Sequence, residues 1–164
     1  MTKSSMEQPV TAEEEEIPSA VAVARHPLHA MSVHFPIAFA IGALGSDALF
    51  LWTADPFWAR VALWVLGFAF ASGVAAGLVG TVELLLVPQI RHRVQSWSHG
   101  ISAMMLIAIL GTNWGLRLHV DDAVLPHGLL LSALGAIFTG LAGWHGGKLI
   151  FHHGVGVAIS GNEE

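Results

Sequence analysis

Histidine is the residue type in this chain that can take part in the widest range of chemistry. The chain has ten histidines and no cysteine, so any metal must be held by imidazole, carboxylate or methionine rather than by thiolate. Three histidines fall in the segment from His26 to Pro36, HPLHAMSVHFP, which runs directly into a long apolar stretch. Neutral imidazole ligates haem iron and zinc and carries protons near neutral pH. The segment therefore indicates haem, metal or proton chemistry at the beginning of an apolar helix.

The composition indicates that lipid surrounds most of the chain. Of the 164 residues, 54% are hydrophobic and 12% are charged, and the mean hydropathy is +0.62, whereas soluble domains carry about 25% charged residues. The seven Lys and Arg residues form no basic stripe, which argues against nucleic-acid binding. Residues 1–24 are polar and acidic, and we predict a disordered tail there without a signal peptide.

Four apolar runs are long enough to cross a bilayer, which needs about 20 helical residues for each crossing. The predicted helices are Leu28–Trp52, Phe57–Val87, Val94–Leu116 and Pro126–His145. A break between Gly73 and Gly80 would raise the number to five. The sequence thus predicts an all-α, integral-membrane four-helix bundle over residues 25–157, in which the segment after His145 follows the membrane interface. Residues 158–164 form a polar tail.

The distribution of basic residues predicts the orientation. Arg60 and Arg117 lie on one predicted side of the membrane, and the other five Lys and Arg residues lie on the side of the two termini. The positive-inside rule then places both termini in the cytoplasm. Five of the six tryptophans lie near predicted helix ends, where an interfacial belt is expected.

Small residues recur at three- and four-residue steps on three of the predicted helices. In lipid, such stripes allow helix backbones to approach closely. The stripes comprise His34, Ala38, Gly42 and Gly45 on the first helix, Gly73, Gly77, Gly80 and Glu83 on the second, and Gly128, Ser132, Gly135, Thr139, Gly143 and Gly146 on the fourth. Because an ionisable residue shares the stripe on the first two helices, we predict that His34 and Glu83 point into the bundle.

Neighbouring helices run in opposite directions, which brings several ionisable residues to one membrane side. Four of them lie within one or two turns of a predicted helix end on that side: His34, Glu83, His99 and His145. Eight of the ten histidines fall on this side, and only His119 and His127 fall on the other. An ionisable group within the membrane is costly, so the cluster is a functional hypothesis.

The leading interpretation of the cluster is a haem b site. Two neutral imidazoles from different helices of a bundle can ligate one iron axially. His34 and His99 are the first predicted pair, His145 is the substitute for either, and Glu83 could orient a ligand through its second ring nitrogen. A second haem between His119 and His127 is conceivable on the opposite side.

Ordinary structural roles compete with this interpretation. Histidines at helix ends are often interfacial polar residues, and Glu83 could form an ion pair with Arg91 or Arg93. Asp47 lies deep in the first helix toward the side opposite the histidines. It could join a hydrogen-bond network with Asn113 or belong to a proton path.

The motifs at the two ends of the bundle resemble a known family. His26-Pro-Leu-His29, Val33-His34-Phe35-Pro36, Gly143-Trp144-x-Gly146-Gly147 and His153-Gly154-Val155-Gly156-Val157 resemble predicted bacterial membrane proteins, the domain of unknown function 2231 family. The resemblance covers about residues 24–157. The family is similar in layout to di-haem b-type membrane cytochromes. The resemblance implies functional positions at His29, His34, Glu83, His99 and His153, and it argues against His145.

Three functions are consistent with these observations. The first is a b-type cytochrome-like protein of the bacterial inner membrane that takes electrons from quinol or a redox complex. The second is a non-catalytic accessory subunit whose small-residue faces pack against larger membrane partners. The third is a divalent-metal or transport site built from histidine and glutamate, in which three or four ligands surround the ion. A standalone enzyme is the less favoured class, since no nucleophile–base pair or phosphate-binding loop is evident.

Overall fold

Helices dominate the part of the chain that the structure describes. The computed structural model describes residues 19–24 and 26–153, without the side chains of His152 and His153. Most of the predicted acidic tail and all of residues 158–164 lie outside this range. A two-residue strand β1 (Ala22–Val23) pairs antiparallel with β2 (His26–Pro27). Regular structure therefore begins a few residues before the predicted boundary at residue 25.

Six helices follow the strand pair. They are α1 (Leu28–Ser32), α2 (His34–Thr53), α3 (Pro56–Leu86), α4 (Pro88–Arg91), α5 (Val94–His119) and α6 (Leu129–His153). A π-type turn, Val124–Gly128, leads into α6. Four segments are long and apolar enough to cross a membrane: Leu28–Thr53, Pro56–Leu86, Val94–His119 and Val124–Phe151. The prediction of four spans is confirmed, and α3 runs without a break through Gly73 and Gly80.

Two helix ends differ from the prediction. The first span is interrupted at Val33, because Pro36 has no N–H to donate to the carbonyl four residues earlier. The prediction that the last helix ends at His145 was wrong, since α6 continues to His153. A glycine in a helix costs about 1 kcal/mol relative to alanine, but Gly146 receives the ring of His99, and this contact favours the continuous helix.

The four long helices form two hairpins that pack side by side. The α2–α3 hairpin meets the α5–α6 hairpin through contacts of α3 with α5 and of α2 with α6. Helices α2 and α5 therefore lie at opposite corners of the bundle. We call the end where α2 and α5 begin and α3 and α6 end the histidine end, and the opposite end the Asp47 end. Large apolar side chains such as Trp64 (69% exposed) and Phe151 (86% exposed) point outward, as expected of a surface in lipid.

Small side chains form the centre of the bundle, and they confirm two of the three predicted stripes. On α3, Gly73 and Glu83 are buried and the two glycines between them are half-buried; in the last span the stripe is buried from Gly128 to Thr139, exposed at Gly143 and half-buried at Gly146. The stripe predicted for α2 was wrong: His34, Ala38, Gly42 and Gly45 are exposed. The buried face of α2 instead carries Pro36, Ala40, Ala43, Ser46 and Asp47. Both faces of α2 carry small residues, so spacing alone does not distinguish them.

The close packing of α2 predicts a large cost for added volume at Ala43, which is fully buried in the core with Ala40, Leu66 and Leu110. Ala43→Leu should lower the free energy of unfolding by about 1–3 kcal/mol, because overpacking forces neighbouring helices apart. The same change at the exposed Ala48 of the same helix is the matched control and should have little effect. Thermal unfolding in detergent measures both. Equal stability of the two variants would contradict the packing described here.

Candidate site at the histidine end

His29 lies on the short helix α1 and packs against α3. Its Nδ1 is 2.9 Å from the carbonyl oxygen of Ala76. The ring lies directly over Gly80, where a Cβ atom would come within 2.6 Å of the histidine Cε1. Real Cβ atoms essentially never approach a neighbour this closely. The absence of a side chain at position 80 therefore makes room for the imidazole.

His99 has the same surroundings in the other hairpin. It lies in the second turn of α5, and its Nδ1 is 2.9 Å from the carbonyl oxygen of Ala142 on α6. A Cβ atom at Gly146 would lie 3.1 Å from its Cε1. Each histidine is thus held between a backbone carbonyl and a glycine of the helix that follows it in its own hairpin.

These hydrogen bonds determine which ring nitrogen is available. A carbonyl oxygen only accepts, so Nδ1 of His29 and Nδ1 of His99 must each carry the proton and donate it. In a neutral imidazole the other nitrogen, Nε2, then has a free lone pair. Metal-ligating histidines are commonly oriented in this way, with the second ring N–H donated to a carbonyl or carboxylate.

The two rings meet at the histidine end. Their centroids are 5.8 Å apart and their planes are 80° apart. Since α2 and α5 occupy opposite corners, the imidazoles approach one another across the interior of the bundle rather than along one helix.

The prediction that His34 points into the bundle was wrong, because His34 is exposed. Its Nδ1 is 3.2 Å from the carbonyl oxygen of Met31, within the same turn. The interruption at Val33 separates α1 from α2, so that His29 packs inward while His34 begins α2 on an outward face. His29, which the family resemblance implied, occupies the place predicted for His34.

The other predicted site residues have different surroundings. His145 is half-buried and precedes Gly146, against which His99 packs. The Glu83 carboxyl is 7% exposed, and its Oε1 has no hydrogen-bond partner among the described residues. The carbonyls of Ala76 and Ala142, rather than Glu83, accept the Nδ1–H of His29 and His99. His153 ends α6, and its side chain lies outside the described residues.

A second polar cluster closes the Asp47 end. Arg117 donates from Nη1 and Nη2 to the two oxygens of Asp47, both at 2.7 Å, and the side chains are 3% and 0% exposed. Ser132 donates to Asp47 at 2.6 Å. Asn113 accepts from Arg117 Nε at 2.9 Å and donates to Ser132 at 2.9 Å. The predicted network of Asp47 with Asn113 therefore exists, with Arg117 as its centre.

Sequence reasoning used Arg117 only to orient the chain. The signal that identifies its role is its distance of four residues from Asn113 on a membrane-spanning helix, because charged residues in such helices face the bundle and pair. His119 and His127, the predicted second haem ligands, are both exposed near this end.

Two apolar pockets open on the outside of α3. One is lined by Phe39, Phe57, Arg60, Val61, Trp64, Val65 and Phe68, and the other by Leu63, Trp64, Gly67, Phe68, Ala71, Trp114 and Leu118. Neither pocket is lined by a histidine. Among the side chains that the structure describes, in residues 19–24 and 26–151, no three histidine, aspartate or glutamate side chains are grouped closely enough to hold a metal ion. The predicted metal site of three or four protein ligands therefore has no ligand set in this range.

The comparisons with known proteins agree with the architecture. A family model described as predicted membrane protein (DUF2231) matches residues 25–159. Neither the curated proteins nor the solved structures gave a match to this chain. The match extends from the segment before His29 through all four spans to the end of α6. The match covers most of the chain, and the four apolar helices agree with a multi-pass membrane protein. The chain therefore belongs to the DUF2231 family of predicted membrane proteins.

Proposed function

We propose that this membrane protein binds haem b between His29 and His99 and transfers electrons in a bacterial inner membrane. The observation that carries the proposal is the pair of imidazoles whose Nδ1–H groups are both donated to backbone carbonyls. In a neutral ring this leaves the lone pair of Nε2 free for a ligand, and the two ring centroids are 5.8 Å apart. In its neutral form an imidazole brings no charge into a site surrounded by lipid.

The number of donors favours haem over a bare metal ion. A zinc site needs four ligands, of which the protein usually supplies at least three. The histidine end offers two imidazoles, and no third histidine, aspartate or glutamate of the described residues joins them closely enough. A porphyrin supplies the equatorial nitrogens itself and leaves only axial positions to the protein. The donor set present thus fits haem iron.

The chain's own residues would bind, orient and shield the group. The carbonyls of Ala76 and Ala142 hold the two imidazoles in the ligating tautomer, and apolar helices exclude water from the site. Haem, when bound, supplies the one-electron chemistry, and the protein tunes it through ligands and burial. Quinol or a membrane redox complex is the proposed electron donor.

Absorbance spectroscopy tests this proposal directly. The protein, expressed with a haem precursor in the medium and purified in detergent, should show a Soret band that shifts and sharpens on reduction with dithionite. Haem content measured as the pyridine complex should correspond to a single haem per chain. A colourless protein obtained under conditions that load a known b-type cytochrome expressed in parallel would overturn the proposal.

One observation favours the second candidate, an accessory subunit. The small residues Ala38, Gly42 and Gly45 are exposed on α2; Val65 of α3 borders Gly42, whereas a Cβ atom at Gly45 would meet nothing within 4 Å. Stripes of small residues in lipid suit close packing against another membrane helix. The same preparation distinguishes the two functions, because an accessory subunit would be colourless and would copurify stoichiometrically with a larger membrane complex.

A further inference from the structure

The two hairpins of the bundle correspond to one another residue by residue. A shift of 70 residues maps His29 of the first hairpin onto His99 of the second, and it maps Asp47 onto Arg117. The sequence after each histidine has the same form, His29-Ala-Met-Ser32 and His99-Gly-Ile-Ser102. Both pairs related by the shift are in direct contact in the folded chain.

The second helices of the hairpins correspond with a shift of 66 residues. Ala76-Gly-Leu-Val-Gly80 maps onto Ala142-Gly-Trp-His-Gly146. All six buried residues of α3 map onto buried residues of the last span. The pairs are Ala62 with Gly128, Leu66 with Ser132, Ala69 with Gly135, Gly73 with Thr139, Ala76 with Ala142, and Glu83 with Leu149. Agreement of burial along the whole helix extends the correspondence well beyond the short sequence motif.

Equivalent residues lie at the same end of the bundle, so the two hairpins run in the same direction. This is the arrangement of parallel repeats related by a pseudo-two-fold axis along the membrane normal. A residue that contacts its own equivalent must lie near such an axis. His29 with His99 marks the axis at the histidine end, and Asp47 with Arg117 marks it at the other end.

We infer that the chain contains two copies of one helical hairpin and that the imidazole site is built on their pseudo-two-fold axis. Each copy contributes one cradle, which consists of a histidine, the alanine carbonyl that accepts its Nδ1–H, and the glycine beneath its ring. Gly80 and Gly146 are therefore equivalent positioning residues. Two equivalent donors on an axis suit a ligand with two equivalent, opposite binding positions, and this part of the inference rests on the proposed haem site.

The two histidine rings differ in how closely they pack against the glycine beneath them. A Cβ atom at position 80 would lie 2.6 Å from Cε1 and 2.7 Å from Nδ1 of His29, so we expect the ring to move away from its position over Gly80. At position 146 the corresponding distances to His99 are 3.1 and 3.2 Å, which a shift of a few tenths of an ångström relieves. Gly80→Ala should displace His29 more than Gly146→Ala displaces His99.

The test uses the full chain with nitrogen-15 in its histidines, purified without haem in detergent. Wild-type spectra should show His29 and His99 protonated at Nδ1. Gly80→Ala should shift the His29 signals and Gly146→Ala the His99 signals, each leaving the other ring largely unchanged. Gly143→Ala and Gly140→Ala are matched controls on α6, because a Cβ atom at either position meets nothing within 4 Å.

A double-mutant cycle keeps the result interpretable if Gly80→Ala folds poorly. Removing the ring in His29→Ala/Gly80→Ala should restore thermal stability to that of His29→Ala alone, because the Cβ atom then has no ring to meet. Unchanged histidine signals in Gly80→Ala, or a double variant as unstable as Gly80→Ala, would overturn the inference. Both readouts concern the haem-free protein, so failure to bind haem leaves them intact and counts only against the proposed function.

Discussion

His29→Ala and His99→Ala should each abolish the reduced-minus-oxidised haem spectrum of the purified protein. Each change removes one of the two imidazoles whose Nε2 is available at the histidine end, while the partner ring remains held by its carbonyl. Haem with a single axial imidazole in a membrane bundle is expected to bind far more weakly. We therefore expect almost complete loss of haem from the chromatographed protein, measured as the ratio of Soret absorbance to protein absorbance.

His34→Ala is the matched control for both variants. His34 is exposed and bonds only to a carbonyl of its own turn, so its removal should leave haem content unchanged. Retention of haem in His29→Ala together with its loss in His34→Ala would reverse the assignment of the ligand. Loss of haem in all three variants would indicate that the spectrum reports general folding rather than ligation.

Arg117→Met should be the most destabilising single substitution at the Asp47 end. Asp47 is fully buried, and Arg117 supplies two of the three hydrogen bonds to its carboxylate. Removal of one partner from a buried ion pair leaves an uncompensated charge and typically costs about 3–5 kcal/mol. Thermal unfolding in detergent should show this loss as a large decrease in the midpoint temperature.

The double variant Asp47→Leu/Arg117→Met separates loss of a contact from exposure of a buried charge. Replacement of a buried pair by apolar residues of similar volume is often nearly neutral, so the double variant should recover most of the stability lost in Arg117→Met. Ser132→Ala removes one hydrogen bond to Asp47 and should cost only about 1 kcal/mol. A double variant no more stable than Arg117→Met would contradict this account of the network.

The number of spans was predictable because hydropathy depends on each residue alone, whereas the interruption at Val33 and the extension of α6 beyond His145 were not predicted. The beginning of α3 shows that the signal for a helix end is also local. The Asp55 side chain caps the helix by accepting a hydrogen bond from Phe57 N at 2.9 Å, and Pro56, in the first turn, has no N–H that would need a partner. The buried stripes of α3 and α6 were also predictable, because on these helices the small residues are concentrated on one face.

The face of α2 was not predictable in this way. Ala40, Ala43 and Ser46 lie on its buried side, while Ala38, Gly42 and Gly45 lie outside, so both faces satisfy the same spacing rule. Which face of α2 is buried depends on the tertiary contacts of Asp47 and on the interruption at Val33. Neither can be predicted from the spacing of small residues.

The sequence predicted that histidines form the candidate site, but it did not predict which two histidines lie together. His99 was expected inside the bundle and packs there against α6, whereas the choice of His34 over His29 depended on an unbroken first helix. The groups that orient the imidazoles are backbone carbonyls, which every residue possesses and which no side-chain pattern reveals. The sequence signal for these contacts is the pair of glycines at positions 80 and 146, because the absence of a side chain there leaves space for the two rings.

The contact between Asp47 and Arg117 has a consequence for biogenesis. The two residues belong to the first and the third span, so the carboxylate of Asp47 enters the bilayer before its counter-ion has left the ribosome. Because an isolated charge in lipid is costly, we expect Asp47 to stay out of the lipid core until α5 arrives. We therefore expect release of the first hairpin into the bilayer to depend on synthesis of the second.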